Sequence, residues 1–459
     1  MAHHSTVVAD EQYVFRSKTR NKLFYLLGLG IFLFVVGLFM AMNDDGHHEE
    51  HASVKGSELV ANANANSVDQ HEEHAKEAPA EGAHHEQAPW ITRLFTTLWM
   101  NNVYFIGLGI IGLFFIAIQY AAQAGWSAGV LRVPMAMANW IPIAGILLIV
   151  LYFVTGHTIF HWTHADLYNA DSPAFDPIIN GKATYFYWLG SKGGFPTFFI
   201  IRMVVFFGGW YWFFLTIRKR MLAEDNEVNN QYWYQNRVTS TWFLIFFAVS
   251  SSIAAWDWVM SIDTHWFSTM FGWYVFASWW VTGLAMITLI VAYLKDAGYL
   301  KVVNSNHLHD LGKFVFAFSI FWTYIWFGQF LLIYYANIPE ETVYFIERMR
   351  TSPYSWIFYL NLIMNFVLPF LLFMTRDAKR QLSTLKLVTP IVIVGHWFDF
   401  FNMVTPAVMQ ENGGVGFLEI GTFLIFMAVY LLVVLSSMAK YPLIGKNHPM
   451  LQESLHHHI

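Results

Sequence analysis

The chain has 459 residues, 56% of them hydrophobic and only 12% charged, with a mean hydropathy of +0.41. Soluble domains carry roughly a quarter charged residues, so this apolar excess is more than one globular core can hide and points to lipid as the solvent. A formal net charge of −5 argues against a cationic nucleic-acid face, and the absence of cysteine excludes disulfides, thiolate metal sites, cysteine-held iron–sulfur clusters and covalently attached haem.

A spanning helix needs about 20 predominantly apolar residues to cross roughly 30 Å of hydrocarbon. Ten segments qualify, at approximately 23–42, 99–122, 138–160, 196–217, 240–262, 267–294, 314–337, 353–375, 387–408 and 416–438, which makes the chain an all-α polytopic membrane protein. The first segment is too long for the apolar core of a signal peptide and no clean small-residue cleavage site follows it. It leads into a His-rich stretch, 43–98, with His47, His48, His51, His71, His74, His84 and His85 among Glu, Ala and Asn. Clustered imidazoles suit metal buffering; the same composition suits a solvated linker too polar to build a core, and the linker is the favoured reading. After the third helix, residues 161–195 are rich in Pro, Asp and Asn and read as an ordered outer loop packed on the helix ends. The abundant Trp and Tyr read mostly as interface belts and packing. Pro142, Pro369 and Pro390 sit in or at the ends of helices, where kinks are expected.

Orientation follows from the Lys and Arg of the connections. With the amino terminus in the cytoplasm, 18 of the 26 Lys and Arg residues fall on the cytoplasmic side and 7 on the other, with Arg202 inside a helix. Both termini are then cytoplasmic, residues 1–22 and 439–459.

Charges at membrane depth are functional candidates by default. Arg202 lies about 9 Å, six residues at helical rise, below the outer end of the fourth helix. Asp257 sits at similar depth in the fifth, so the two can pair, either as a buried strut or as part of a pathway. His396 and Asp399, in GHWFDFFN of the ninth helix, are three apart and share a face near the membrane midplane. An imidazole beside a carboxylate can pass a proton, because His titrates near neutrality; the alternative is an interhelical contact with no transport role. Ser251, Gln329, Asn361 and Asn365 extend this polar set, each alone more often interhelical glue than a pathway. His157 and His161, four apart, with Asp166 close by, form an outer polar cluster or a quinone contact. No facing helix offers the matching imidazoles that haem ligation requires.

The order of these features resembles the membrane subunits of alternative complex III, in the polysulfide-reductase, NrfD-like family. The resemblance covers nearly the whole chain and rests on SIAAWDWVMSIDTHWFSTMFGWYVFAS around the fifth and sixth helices, SPAFDPIINGKATYF in the outer loop and GHWFDFFNMVTP in the ninth. It implies two four-helix bundles, 99–262 with the loop 161–195 and 263–408, plus two peripheral helices, 23–42 and 409–438. It further implies a subunit of a quinol:cytochrome c oxidoreductase in a bacterial inner membrane. Haem c and iron–sulfur clusters would belong to partner cytochrome c and iron–sulfur subunits beside a sister NrfD-like subunit. This chain would itself hold no cofactor, with quinol or menaquinol a candidate ligand, and would serve as a noncatalytic, proton-conducting element. His396, Asp399, Asp257 and Arg202 are placed on that track by depth. The rival readings are a stand-alone secondary transporter, which paired broken helices would favour, and a purely structural anchor. Copurification with haem c separates the transporter from the other two.

Protease added to sealed right-side-out spheroplasts is expected to cut within 43–95 and to spare Arg218–Arg220. The reverse pattern would invert the topology.

Overall fold

A computed structural model of the chain describes residues 11–63 and 88–458, with side chains for 11–43 and 88–458. Ten helices among the described residues are long and apolar enough to span a membrane. They are α1 (Ser17–Ala63, apolar over Ser17–Asn43), α2 (Pro89–Ala121), α3 (Arg132–Ile159), α4 (Thr197–Ala223) and α5 (Asn230–Ile262). The other five are α6 (Phe271–Asp296), α7 (Ser305–Ala336), α8 (Ser352–Leu372), α9 (Leu382–Asn412) and α10 (Phe417–Met438). No strand occurs among the described residues beyond a single bridge, Gln12 with Pro442.

Several helices outrun their apolar cores. α1 continues to Ala63, so the first third of the expected linker is helical: no proline interrupts the chain before Pro79, and Ala, Glu and Leu favour helix. His71, His74, His84 and His85 lie outside the described residues. α2 begins ten residues before its expected start, with Pro89 in the first turn, where the missing N–H is no loss. α5 and α7 also start early because Asn229 and Asn304 cap them, the Asn304 side chain accepting from the Asn306 and His307 amides.

α2, α3, α4 and α5 pack each against the next, and α5 returns to α2. α6, α7, α8 and α9 close a second four-helix bundle in the same way. The bundles meet where α2 touches α6 and α9 and where α5 touches α6, while α1 and α10 pair with each other beside α2. α2 is therefore the central helix, 94% buried over its apolar window against 17% for α1. Its neighbours are pinned to it by indole N–H groups. Trp99 donates to the Trp258 carbonyl at 2.9 Å, Trp279 to the Val103 carbonyl at 3.1 Å, and Trp397 to Asn101 Oδ1 at 3.0 Å. Trp188, Trp212 and Trp242 are exposed on the protein surface, whereas Trp99, Trp210, Trp258, Trp279 and Trp322 are fully buried. In an apolar medium such a donor is best served by an acceptor inside the protein; Trp99, Trp210, Trp279 and Trp322 have one, while the Trp258 indole has none among the described residues.

Two opposite faces follow from the connections. On one, the amino-terminal segment lies on the carboxy-terminal tail (Leu443 N–H to Glu11 O, 2.8 Å) and on the α6–α7 turn (Lys301 N–H to Glu11 Oε2, 3.2 Å). The tail also reaches the α4–α5 turn, where Lys446 N–H donates to Asp225. On the distal face the 161–195 loop folds as short turns and a helix, Pro177–Tyr187, capped by Asp176, and Lys182 donates to the Thr264 carbonyl at 2.5 Å.

α1 and α10 touch backbone to backbone. A Cβ on Gly37 would meet Leu418 N at 2.1 Å, and one on Gly421 would meet Phe34 N at 2.4 Å. Small residues at such a crossing give membrane helices their packing contact. Gly37→Leu is expected to pry the pair apart and lower stability by about 1–3 kcal/mol, the usual cost of overpacking. It should appear as a lower thermal midpoint in detergent, and an unchanged midpoint would show that the pairing contributes nothing.

Candidate functional site: a caged carboxylate in the second bundle

Asp399 is fully buried near the middle of α9. Two donors reach each of its oxygens. Tyr274 Oη from α6 and Asn361 Nδ2 from α8 (2.7 Å) serve Oδ1; Ser278 Oγ from α6 and Trp322 Nε1 from α7 (2.9 Å) serve Oδ2. Four donors and no acceptor are the complement of a carboxylate, which only accepts. Tyr274 and Ser278 share a face of α6 because they are four apart. Trp322 also donates to Ser278 Oγ at 2.9 Å, which orients that hydroxyl toward the acid.

The network continues along α8. Asn365 donates to Asn361 Oδ1, fixing the amide that holds Asp399. Asn365 lies in a wide, π-type turn, Ile363–Val367, an irregularity often found at functional positions. Its close seat on α9 requires Gly395, where a Cβ would fall 2.2 Å from Asn365 Oδ1.

His396 stands one turn from Asp399, with Nδ1 3.7 Å from the carboxylate, too long for a hydrogen bond. Its ring meets Trp322 edge-on at 5.3 Å, and neither ring nitrogen has a hydrogen-bond partner among the described residues. Asn365 Oδ1, Gln329 Nε2, Ser319 Oγ and both amide atoms of Asn402 are buried in the same unpartnered condition. Leaving such groups unmade costs about 1–3 kcal/mol each, so these five residues of α7, α8 and α9 mark a polar interior that water can serve.

Arg202 and Asp257 do meet, but away from this network, in the first bundle. Arg202 Nε and Nη2 grip the two Asp257 oxygens at 2.6 and 2.8 Å, and Nη1 donates to the Tyr185 carbonyl of the outer loop at 2.9 Å. The guanidinium lies 4.4 Å from the Tyr185 ring and 4.5 Å from the Phe198 ring. Every nitrogen is engaged, so the pair acts as a clamp joining α4, α5 and the loop. Ser251 is buried on α5, next to Ser250, which accepts from Trp210 at 2.9 Å.

The histidines of the distal face gather around His164, and Asp166 of the same segment is exposed. The His164 ring lies 5.1 Å from that of His157 and 5.6 Å from that of His161. Asp176 joins them through His265 at 2.5 Å. Burial opposes its ionisation, but the bonds from His265 and the Ile178 and Ile179 amides outweigh it and hold its pKa below the ordinary value. A cavity of about 910 Å³ opens here, bordered by His161, His265, Asp263, Glu347 and Glu411. Burial raises the Glu347 pKa, only partly offset by Arg348. Arg348, 2% exposed, pairs with the bordering Glu347 at 3.3 Å and lies 4.0 Å from Asp263, and it donates to the Asn402 carbonyl at 2.8 Å, one helical turn from Asp399.

Sequence reasoning missed Tyr274, Ser278 and Trp322, which look like ordinary membrane-helix residues until the helices are rotated together. It also missed Arg348, Glu224 and the ion pair Arg93–Glu419 (2.7 Å), of which Glu419 is buried. Glu224 is 2% exposed at the terminal face, and its pKa is pushed up to about 8, mainly by burial. Glu419 carried a readable signal, an acid three residues into an apolar helix that also caps its own amino end.

Compared with known proteins, the chain matches no family model and no curated protein sequence.

Arg202→Ala is expected to cost about 3–5 kcal/mol, because it strands a buried carboxylate. The double variant Arg202→Ala/Asp257→Ala should regain part of that loss. Thermal melts of the solubilised protein measure both, and a single variant as stable as the parent contradicts the clamp.

Proposed function

We propose that this membrane-spanning helical protein is a subunit of a quinol-oxidising respiratory complex, of the ActF type in alternative complex III, and that its second bundle conducts protons through Asp399. The observation that carries the proton reading is the cage itself: a carboxylate at mid-membrane depth, held by donors from three neighbouring helices, with an unpartnered imidazole 3.7 Å away. A carboxylate that only locked helices together would be better served by a full ion pair, as Asp257 is by Arg202. Among the described residues Asp399 has no cation against it except His396, whose charge is optional.

The route has a direction. On the distal side, Asp263 and Glu347 border the cavity and contact Arg348, which donates to the Asn402 carbonyl one turn from the carboxylate, while Tyr274 donates to the carboxylate itself. On the terminal side, His396 leads away from Asp399 toward the rest of α9, and Asn361 and Asn365 continue the polar column along α8. Asp399 exchanges its proton with His396 by way of a water bridging the 3.7 Å between them, and the Asn361 and Tyr274 donors steady the anion between transfers. The quinol-complex assignment rests on the resemblance of the AWDWVMSID, SPAFDPIING and GHWFDFFN segments, with redox centres carried by partner subunits. In the first bundle the anchor role fits better, because Arg202 and Asp257 are fully engaged.

Asp399→Asn tests the route. Because the Trp322 indole can only donate, the new amide must turn its NH2 toward Tyr274 and Asn361, which also donate there, so a stability loss of about 1–3 kcal/mol is expected. The assembled complex should keep its haem, while proton movement in vesicles reported by a pH-sensitive dye falls at least about tenfold, in line with loss of an acid–base group. His396→Gln, which disturbs no hydrogen bond in the protein, should fall likewise. Proton movement at the parent rate in either assembled variant sinks the proposal.

A further inference from the structure

We infer that the gap between α1 and the second bundle is a binding slot for one anionic phospholipid of the leaflet on the terminal face. The slot has a volume of about 640 Å³. It exists because α1 spends its close contacts on α10, at Gly30, Gly37 and Gly421, and so stands off from α6 and α9, whose side chains form the opposite wall. Met286, Leu289 and Ile290 of α6 face Val394 of α9 and Met427 and Leu431 of α10 across it. The wall is apolar throughout, which suits an acyl chain and offers nothing to a polar solute.

Its length and its mouth select the occupant. From Met286 to Ala297 the α6 wall rises about 16 Å at helical pitch, close to the roughly 15 Å of one leaflet's hydrocarbon. At the mouth stand Arg16 and Lys22, both exposed and without an ion-pair partner among the described residues. They are held there because the preceding segment is strapped to the tail by the Gln12–Pro442 bridge and packed on Tyr299 through Tyr13, at 5.4 Å between rings. Lys386, 5.5 Å from the Tyr293 ring that borders the slot, is spent on Asp296 and adds no free charge. The nearby acids are already engaged, Asp296 with Lys386 at 2.8 Å and Glu11 with the Lys301 amide at 3.2 Å. An apolar slot one leaflet long with unpaired cations at its mouth matches a phosphate-bearing headgroup on an acyl chain. A neutral isoprenoid would leave both cations unused.

The test uses the full-length chain extracted with the partners that copurify, stripped of lipid by detergent exchange. It is then titrated with phosphatidylglycerol or phosphatidylcholine bearing a photoactivatable acyl chain, with cross-linked peptides mapped by mass spectrometry. Phosphatidylglycerol should label peptides around Met286–Ala297 and Met427–Leu431 in clear preference to phosphatidylcholine. Arg16→Ala/Lys22→Ala should weaken that labelling by about 25-fold, about fivefold for each cation, and leave phosphatidylcholine labelling unchanged. Leu431→Trp, which fills the slot, should block labelling there by both lipids. Equal labelling by the two lipids in the parent, an unaltered preference in the double variant, or displacement of phosphatidylglycerol by a short-chain quinone at equal concentration would each overturn the assignment. Displacement by inorganic phosphate alone would show a free-anion site and overturn it too.

Discussion

A bilayer core supplies no hydrogen-bond partners, so each polar group carried into it has to be answered by another part of the same chain. Asp399 is where that requirement is most demanding, since a carboxylate has two oxygens to satisfy and α9 offers it nothing of its own. Meeting the demand fixes the rotation of α6, α7 and α8 together, because Tyr274, Ser278, Trp322 and Asn361 must converge on one point. Once α6 and α9 are set, α2 is placed by the indole bonds from Trp279 and Trp397. The first bundle then builds on α2 through Trp99 and α5.

The two bundles handle buried charge in opposite ways. In the first, Arg202 and Asp257 neutralise each other with every guanidinium nitrogen engaged, and aromatic rings shield both faces of the cation. That is a rigid solution, suited to holding the outer loop against the helix ends. In the second, the carboxylate is caged by neutral donors and its basic neighbour is left without a partner. The difference follows from where the counter-charge comes from: a guanidinium does not give up its proton, whereas an imidazole does.

The two faces of the molecule are also built differently. The terminal face is tied down by chain ends, with Glu11, the Gln12–Pro442 bridge and the Asp225 contact to Lys446 clamping the amino-terminal segment, tail and turns together. The distal face carries the longer insertions, and these leave a wide cavity between the two bundles' outer ends, bordered by histidines and acids. Ordered straps on one side and an open polar mouth on the other give the protein a polarity that matches its biased distribution of cations.

Local composition alone determined the ten spans and their order, because hydropathy adds residue by residue and needs no knowledge of neighbours. It determined the uneven distribution of Lys and Arg for the same reason, and it located Arg202, Asp257, His396 and Asp399 by depth along single helices. What surrounds those groups belonged to the tertiary structure. Tyr274 and Trp322 lie 125 and 77 residues from Asp399 in sequence, and nothing in a run such as GWYVFAS distinguishes a carboxylate ligand from a packing residue. The same holds for Arg93 and Glu419, 326 residues apart, which neutralise each other at the amino-terminal ends of α2 and α10. Periodicity tells which residues share a face of one helix; which face meets which helix is decided only when all the helices pack at once, since each rotation is set by its partners' side chains rather than by its own sequence.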